Sequence, residues 1–94
     1  MANLNELNKL EQYLKDNDYS YRREDYEGVS DWHQIIVYDR FTNRPVWDAI
    51  CHRGSYGYNR GLIEVSGNIA AGNPNSIAGF LTADDVVAMI NRPK

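Results

Sequence analysis

The chain is poor in cysteine, in long apolar runs and in charge of one sign, and each shortage excludes a class of protein. Its one cysteine, Cys51, has no internal disulfide partner, so nothing in the sequence requires an oxidising compartment. No apolar run approaches the roughly 20 residues of a transmembrane helix, and the polar N-terminal segment lacks the apolar centre of a signal peptide. We therefore predict a cytoplasmic protein with no membrane partner.

The charge and composition indicate a folded protein that does not bind duplex DNA. A net charge of −3 disfavours binding by neutralisation of phosphates. The balance of 43% hydrophobic and 24% charged residues is that of a globular chain and argues against disorder. The length of 94 residues predicts a single α+β domain, residues 1–94, with a small core and marginal stability.

The apolar pattern predicts a helix, a set of strands and a second helix. Leucines at steps of three and four residues predict an amphipathic helix at about 4–16. Thr82 is the predicted N-cap of a C-terminal helix, with acidic residues in its first turn, where the helix dipole favours negative charge. Between them, β-branched and aromatic segments predict three or four antiparallel strands, and residues 68–79 are predicted to form a long loop. The predicted strand segments are 19–26, 33–39, 45–52 and 61–67.

The segments 33–39 and 45–52 predict a central β-hairpin. If residues 42–43 form a two-residue turn, Ile35 faces Ile50 and His33 faces His52. Both faces of this hairpin are then apolar, so we expect a cover on each: helices on one, and a loop, a second copy, a ligand or a target on the other. The predicted faces carry, on one side, Ile35, Val37, Val46 and Ile50, and on the other, Trp32, Ile36, Tyr38, Trp47, Ala49 and Cys51.

His33, Cys51 and His52 have side chains of the types that bind zinc. Cys51 and His52 are adjacent in a strand, so they point to opposite faces and cannot act together as ligands or as a catalytic pair. In the predicted register His33 also lies on the wrong face for Cys51. We therefore predict no metal site and no Cys–His catalytic pair.

Two carboxylates, Asp39 and Asp48, share one face of the predicted hairpin. Asp48 lies among apolar residues, so we expect it either at an opening or paired with a base such as Arg40 or Arg44. A paired structural aspartate is the more common case. We therefore predict no catalytic residue and no cofactor.

The segment 53–61 is the best candidate for a binding surface, because two arginines and two tyrosines alternate there with glycines. Arginine and tyrosine carry much of the binding energy of protein interfaces. A tyrosine ring can also stack on a base while arginine holds phosphate or carboxylate. The alternative is a strand connection whose tyrosines fold back on the core. The predicted contact residues for a partner or ligand are Arg53, Tyr56, Tyr58 and Arg60, flanked by Trp32 and Trp47.

Three segments resemble small accessory proteins encoded by bacteriophages and related mobile elements. They are LNKLEQYLKDN at 7–17, HQIIVYDRFTNRPVWDAICHRGSYGYNRGLIEVSG at 33–67 and GFLTADDVVAMI at 79–90. The resemblance covers most of the chain and includes no catalytic motif. It implies a phage accessory protein, and acidic helix–sheet–helix proteins of that kind include anti-CRISPR proteins and other inhibitors of bacterial immunity.

The leading hypothesis is a non-enzymatic phage-type binding protein that inhibits a host protein, such as a CRISPR or other immune protein, by occluding its surface. One alternative is a sponge for a small ligand such as a nucleotide, bound at the seam of a homodimer. Another is a small hydrolase-like enzyme that uses Asp48 with His33 or His52, which requires those side chains to converge in an open cleft. The sequence leaves the partner, the oligomeric state and the sheet order open.

Overall fold

The computed structural model describes residues 3–28, 31–55, 57–71 and 76–92. It confirms the α+β class, with an N-terminal helix, a central hairpin and a C-terminal helix, and the described sheet has five strands where three or four were expected. No helix within the described ranges is both long and apolar enough to cross a bilayer. The elements are α1 (Asn5–Asp16), β1 (Ser20–Tyr26), β2 (Trp32–Tyr38), β3 (Pro45–His52), a 3₁₀ turn (Tyr58–Arg60), β4 (Ile63–Gly67), α2 (Asn68–Ala71), β5 (Ile77–Leu81) and α3 (Ala83–Ile90).

The strands form an antiparallel meander in the order β1-β2-β3-β4-β5, so β1 and β5 are its edges. The prediction of a long loop at 68–79 is wrong for its described part, since α2 begins at Asn68 and β5 at Ile77. β5 combines Ile77 and Phe80, which favour strands, with Ala78 and Gly79, which do not, so its local pattern did not reveal it. Its pairing with β4, where Ile77 faces Ser66, provides the backbone hydrogen bonds instead.

The core lies on one face of the sheet, between the sheet and the helices α1 and α3. Glu6 of α1 also accepts a hydrogen bond of 2.8 Å from the backbone N–H of Ala83, the first residue of α3, and so ties the two helices together. We call this side of the sheet the covered face. The buried apolar side chains of the core are Leu7, Leu10, Leu14, Ile35, Val37, Trp47, Ala49, Cys51, Ile63, Val65, Ala83 and Val86.

The hairpin connection differs from the predicted two-residue turn. It spans residues 39–44, where Asp39 accepts hydrogen bonds from the backbone N–H groups of Phe41 and Thr42 at 2.8 and 3.0 Å. Asn43 has a φ of +58°, in the left-handed region that asparagine tolerates better than most residues. This longer connection is accompanied by a shift in the pairing register between Val37 and Tyr38 of β2. Together they displace the pairing by one residue from the predicted register.

This displacement exchanges the faces of β3. Ile35 faces Ala49 and His33 faces Cys51, so the predicted pairs Ile35–Ile50 and His33–His52 are wrong. Trp47, Ala49 and Cys51 therefore lie on the covered face with Ile35 and Val37. We call the other side of the sheet the open face, and its residues are Ser20, Arg22, Glu24, Tyr26, Trp32, Gln34, Ile36, Tyr38, Val46, Asp48, Ile50, His52, Glu64, Ser66 and Ile77.

Candidate functional site

The loop that follows β3 forms a wall of an open cleft of about 790 Å³. It brings three of the predicted contact residues together, while Tyr56 lies outside the described residues. Trp47 is 6% exposed in the core, and Trp32 lies on the open face, so neither flanks this cleft. We call it the arginine cleft. Six of its lining residues are Asn3, Arg53, Tyr58, Asn59, Arg60 and Phe80.

Local backbone geometry holds the loop in shape. The Ser55 hydroxyl donates a hydrogen bond of 2.8 Å to the carbonyl of His52 and accepts one of 3.1 Å from its N–H, which closes the end of β3. Gly57 has a φ of +93°, and a Cβ there would lie 2.8 Å from Leu62 Cβ and 3.2 Å from Phe80 Cα. A side chain at position 57 would therefore displace Leu62 and the backbone of Phe80, and Phe80 lines the cleft.

The two arginines of the cleft have no anionic partner within the described parts of the chain. Arg22 pairs with Glu24 and Arg23 with Glu11, whereas neither Arg53 nor Arg60 forms an ion pair. No described residue that lines the cleft is Asp or Glu. Two unpaired guanidinium groups in one concave surface attract carboxylate or phosphate groups, which arginine binds in a bidentate way.

An ionic cluster around the buried side chain of His33 holds Tyr58, the tyrosine of the cleft. His33 is 2% exposed, and its Nδ1 lies 2.7 Å from Asp25 Oδ1 while its Nε2 lies 2.9 Å from Asp31 Oδ1. The hydroxyl of Tyr58 donates to the other carboxylate oxygen of Asp31. Because both ring nitrogens of His33 face acceptors, the geometry suits the imidazolium form, which donates on both sides. The cluster therefore fixes the Tyr58 ring from behind.

The cluster shifts the pKa values of His33, Asp31 and Tyr58. Burial lowers the pKa of His33, but the hydrogen bonds and charges of Asp25 and Asp31 outweigh it and raise that pKa above its ordinary 6.5. The hydrogen bond from Tyr58, and then that from His33, lowers the pKa of Asp31 below 3.8. The same bond to Asp31 raises the pKa of the Tyr58 hydroxyl. At neutral pH Asp31 is therefore a carboxylate and Tyr58 a donor.

The histidines and the cysteine do not form a reactive site in this geometry. The expectation that His33 and Cys51 lie on opposite faces is wrong, because the corrected register makes them direct cross-strand neighbours. Burial, and then the charge of Asp31, raises the pKa of the Cys51 thiol, which disfavours the thiolate. His52 lies on the open face and stacks on Trp32, with ring centroids 4.3 Å apart. In the described ranges no three His, Cys, Asp or Glu side chains are arranged to hold a metal ion.

The aspartates also occupy separate environments. Asp48 lies on the open face and accepts hydrogen bonds from Gln34 Nε2 at 2.7 Å and from Ser66 Oγ at 2.5 Å, so its partners are neutral side chains and not an arginine. Asp39 lies in the hairpin connection, where backbone N–H groups lower its pKa. His33 is on the covered face, opposite to Asp48. His52 shares the open face with Asp48 but lies four residues further along β3, about 13 Å away, and its Nδ1 bonds to the carbonyl of Arg53 at 2.8 Å. Neither described histidine therefore converges with Asp48, as the enzyme hypothesis requires.

The cluster around His33 was missed by sequence reasoning. Asp31 and His33 are two residues apart at the start of β2, and strand alternation could have placed them on one face. Asp25 faces His33 through the register of β1 with β2. Tyr58 comes from a loop further along the chain. Only the first of these relations has a local sequence signal.

Comparison with known proteins adds no assignment. No family model matches the chain, and neither the curated proteins nor the solved structures yield a match. Function is therefore inferred from the chain's own geometry, which provides two surfaces: the arginine cleft and the open face.

Proposed function

We propose that this chain is a non-enzymatic binding protein that inhibits a host protein by covering an acidic part of its surface, and that the arginine cleft is the contact surface. The observation that carries the proposal is that Arg53 and Arg60 form no ion pair with any described residue and lie in one open cleft whose described lining has no carboxylate. Charge-assisted hydrogen bonds of this kind are stronger than neutral ones and position a partner. The site of action is the cytoplasm of the host cell.

The ionic cluster behind the cleft supports this proposal. The Tyr58 hydroxyl is bonded to Asp31, and Asp31 is bonded to His33, so the tyrosine ring is held before a partner arrives. A side chain that is already ordered loses less rotamer freedom on binding. The contact set is Arg53, Tyr58 and Arg60, and Tyr56 remains a predicted member.

We infer the class of the host protein from the resemblance of the sequence to phage accessory proteins. The specific partner class that we propose is a protein of bacterial immunity, CRISPR proteins among them. The net charge of −3 is small, and Arg53 and Arg60 form no ion pair with any described residue. Both observations favour an acidic contact surface on the partner over mimicry of DNA.

Comparative capture from a bacterial lysate tests the proposal. The bait proteins are wild type, the double variant Arg53→Ala/Arg60→Ala, and Arg44→Ala as a control that removes one exposed arginine from the hairpin connection. We expect quantitative mass spectrometry to find a protein that wild type and the control retain and the double variant loses. Retention of that protein by the double variant at the wild-type level would exclude the cleft as its contact surface.

A small anionic ligand, such as a nucleotide, is a second candidate for the same cleft. The volume of about 790 Å³ falls within the usual range of about 300–1,000 Å³ for small-molecule sites. Arg53 and Arg60 line the cleft, and their guanidinium groups can hold the phosphates of such a ligand. A nucleotide present at about 100 times its Kd would stabilise the fold by about 2.7 kcal/mol and raise the melting temperature. No rise with nucleoside phosphates would exclude this candidate.

A further inference from the structure

No described helix packs on the open face of the sheet, and this face is separate from the arginine cleft. The helices α1 and α3 pack on the other side. Five of its apolar residues are half-buried by their neighbours on the sheet, and they lie on β2 and β3. These residues are Trp32, Ile36, Tyr38, Val46 and Ile50.

The polar groups at the centre of this face are bonded to one another. Trp32 Nε1 donates to Gln34 Oε1 at 3.1 Å, and Gln34 Nε2 donates to Asp48 Oδ2 at 2.7 Å. Ser66 Oγ donates to the other oxygen of Asp48 at 2.5 Å. This chain of hydrogen bonds crosses β2, β3 and β4. Covering the face would therefore leave none of these donors without an acceptor, which removes a main cost of burying polar groups.

One row of residues across the strands has a self-complementary charge pattern. Arg22 of β1 faces Ile36 of β2, and Ile36 in turn faces Asp48 of β3. The row thus reads cation, apolar residue, anion from the edge inward. A two-fold axis that runs parallel to the strands at Ile36 would bring Arg22 of each copy opposite Asp48 of the other and would join the two Ile36 side chains.

The charges of this row are available for such a contact. Arg22 pairs with Glu24 at 3.0 Å, but the Arg22 side chain is 61% exposed, and an exposed ion pair contributes little stability, so the guanidinium can change partner. Within the described chain Asp48 has two neutral donors and no cation as partners. An arginine from a second copy would supply that cation.

We propose that the open face is a homodimer interface, in which two sheets stack face to face about a two-fold axis along β2. The contact is isologous, because the same face serves in both copies. Stacked sheets of this kind lie about 10 Å apart with interdigitated side chains. In the dimer the helices lie on the outside, and both arginine clefts are formed by residues outside the interface. The proposal is therefore independent of the function proposed for the cleft.

The test uses charge reversal and complementation between two variants. Arg22→Glu and Asp48→Arg each place like charges opposite one another at both symmetry-related contacts of a homodimer, so we expect each to weaken association by about a thousandfold or more. In an equimolar mixture, a heterodimer has one contact with reversed charges and one native contact, and both are attractive. Sedimentation velocity at about 100 µM should show a wild-type dimer, two monomeric variants and a dimer in the mixture, since a dimer with micromolar Kd is nearly complete at that concentration.

A second variant covers the case in which Asp48→Arg fails to fold. Ile36→Lys puts two cations at the two-fold axis without disturbing the hydrogen-bonded centre, and we expect a monomer with the wild-type circular dichroism spectrum. Phe41→Lys is the matched control, because Phe41 is 93% exposed in the hairpin connection, away from the open face, and this variant should remain a dimer. A monomeric wild type at about 100 µM, or a folded Ile36→Lys variant that still dimerises, would overturn the proposal and assign the face to another partner.

Discussion

Two adjacent isoleucines on β2 test whether helices cover only one face of the sheet. Ile35 is 0% exposed and belongs to the core with the leucines of α1, whereas Ile36 lies half-buried on the open face. The side chains are identical and occupy neighbouring positions of one strand. Substitution of each by alanine therefore compares the two faces with chemistry and strand held constant.

The magnitudes follow from burial. Truncation of a fully buried isoleucine to alanine costs about 2–5 kcal/mol, and we expect about 3 kcal/mol for Ile35→Ala. A chain of 94 residues has a total stability of about 5–14 kcal/mol, so this loss is a large fraction of it. At about 4–8 °C for each kcal/mol, the melting temperature should fall by about 12–24 °C. For Ile36→Ala in the monomer we expect less than about 1 kcal/mol, because its methyl groups are partly in water already.

Urea denaturation followed by circular dichroism measures both losses, at a protein concentration low enough to keep the chain monomeric. The slope of the free energy of unfolding against urea should be the same for both variants, so the midpoints can be compared directly. At higher concentration the cost of Ile36→Ala should increase, because the dimer buries that side chain. Equal losses for the two variants in the monomer would refute the division of the sheet into a covered face and an open face.

Three further substitutions or conditions test local features. Thr82→Ala removes the side-chain acceptor of the α3 capping box and should cost about 1 kcal/mol in urea denaturation; no loss would mean that the cap is dispensable. Gly67→Ala adds a Cβ 2.6 Å from Trp47 Cα at a φ of +121°, so we expect a loss of about 1–3 kcal/mol, and an unchanged melting temperature would contradict this close packing. The raised pKa of His33 makes its stabilisation complete below its ordinary 6.5 and progressively lost as the pH rises through the raised value. The free energy of unfolding should therefore fall as the pH rises above about 6.5, and His33→Gln should flatten that decline.

The helices and the central hairpin were predictable because their signals are local. The leucine spacing placed α1 within one residue of its observed start at Asn5, and Thr82 is the N-cap of α3 as expected. Periodicity and capping depend on residues only a few positions apart. The same holds for the β-branched runs that form β2 and β3.

The register of the hairpin was not predictable from the same kind of signal. The conformation of residues 39–44 depends on how Asp39 accepts two backbone N–H groups, and a displacement of one residue reverses a whole strand. Both faces of β3 are apolar enough to fit either register. The prediction therefore placed Trp47 on the wrong face and separated Cys51 from His33.

The candidate site was predictable only in part. Arg53, Tyr58 and Arg60 were selected by residue type within one short segment, and the structure brings these three to one cleft. The ionic cluster behind Tyr58 joins β1, β2 and the loop, so no local pattern contains it. Long-range contacts of this type depend on sheet register, which single-sequence reasoning does not supply.

The arginine cleft is tested most directly by a plating assay in a bacterial host with an active immune system that restricts a phage. The host expresses wild type, the double variant Arg53→Glu/Arg60→Glu, or Arg44→Glu as a control that reverses the charge of one exposed arginine outside the cleft. We expect wild type and the control to restore plaque formation and the double variant, at equal expression and with the wild-type fold, to leave the host immune. Equal restoration by wild type and the double variant would contradict inhibition through the cleft.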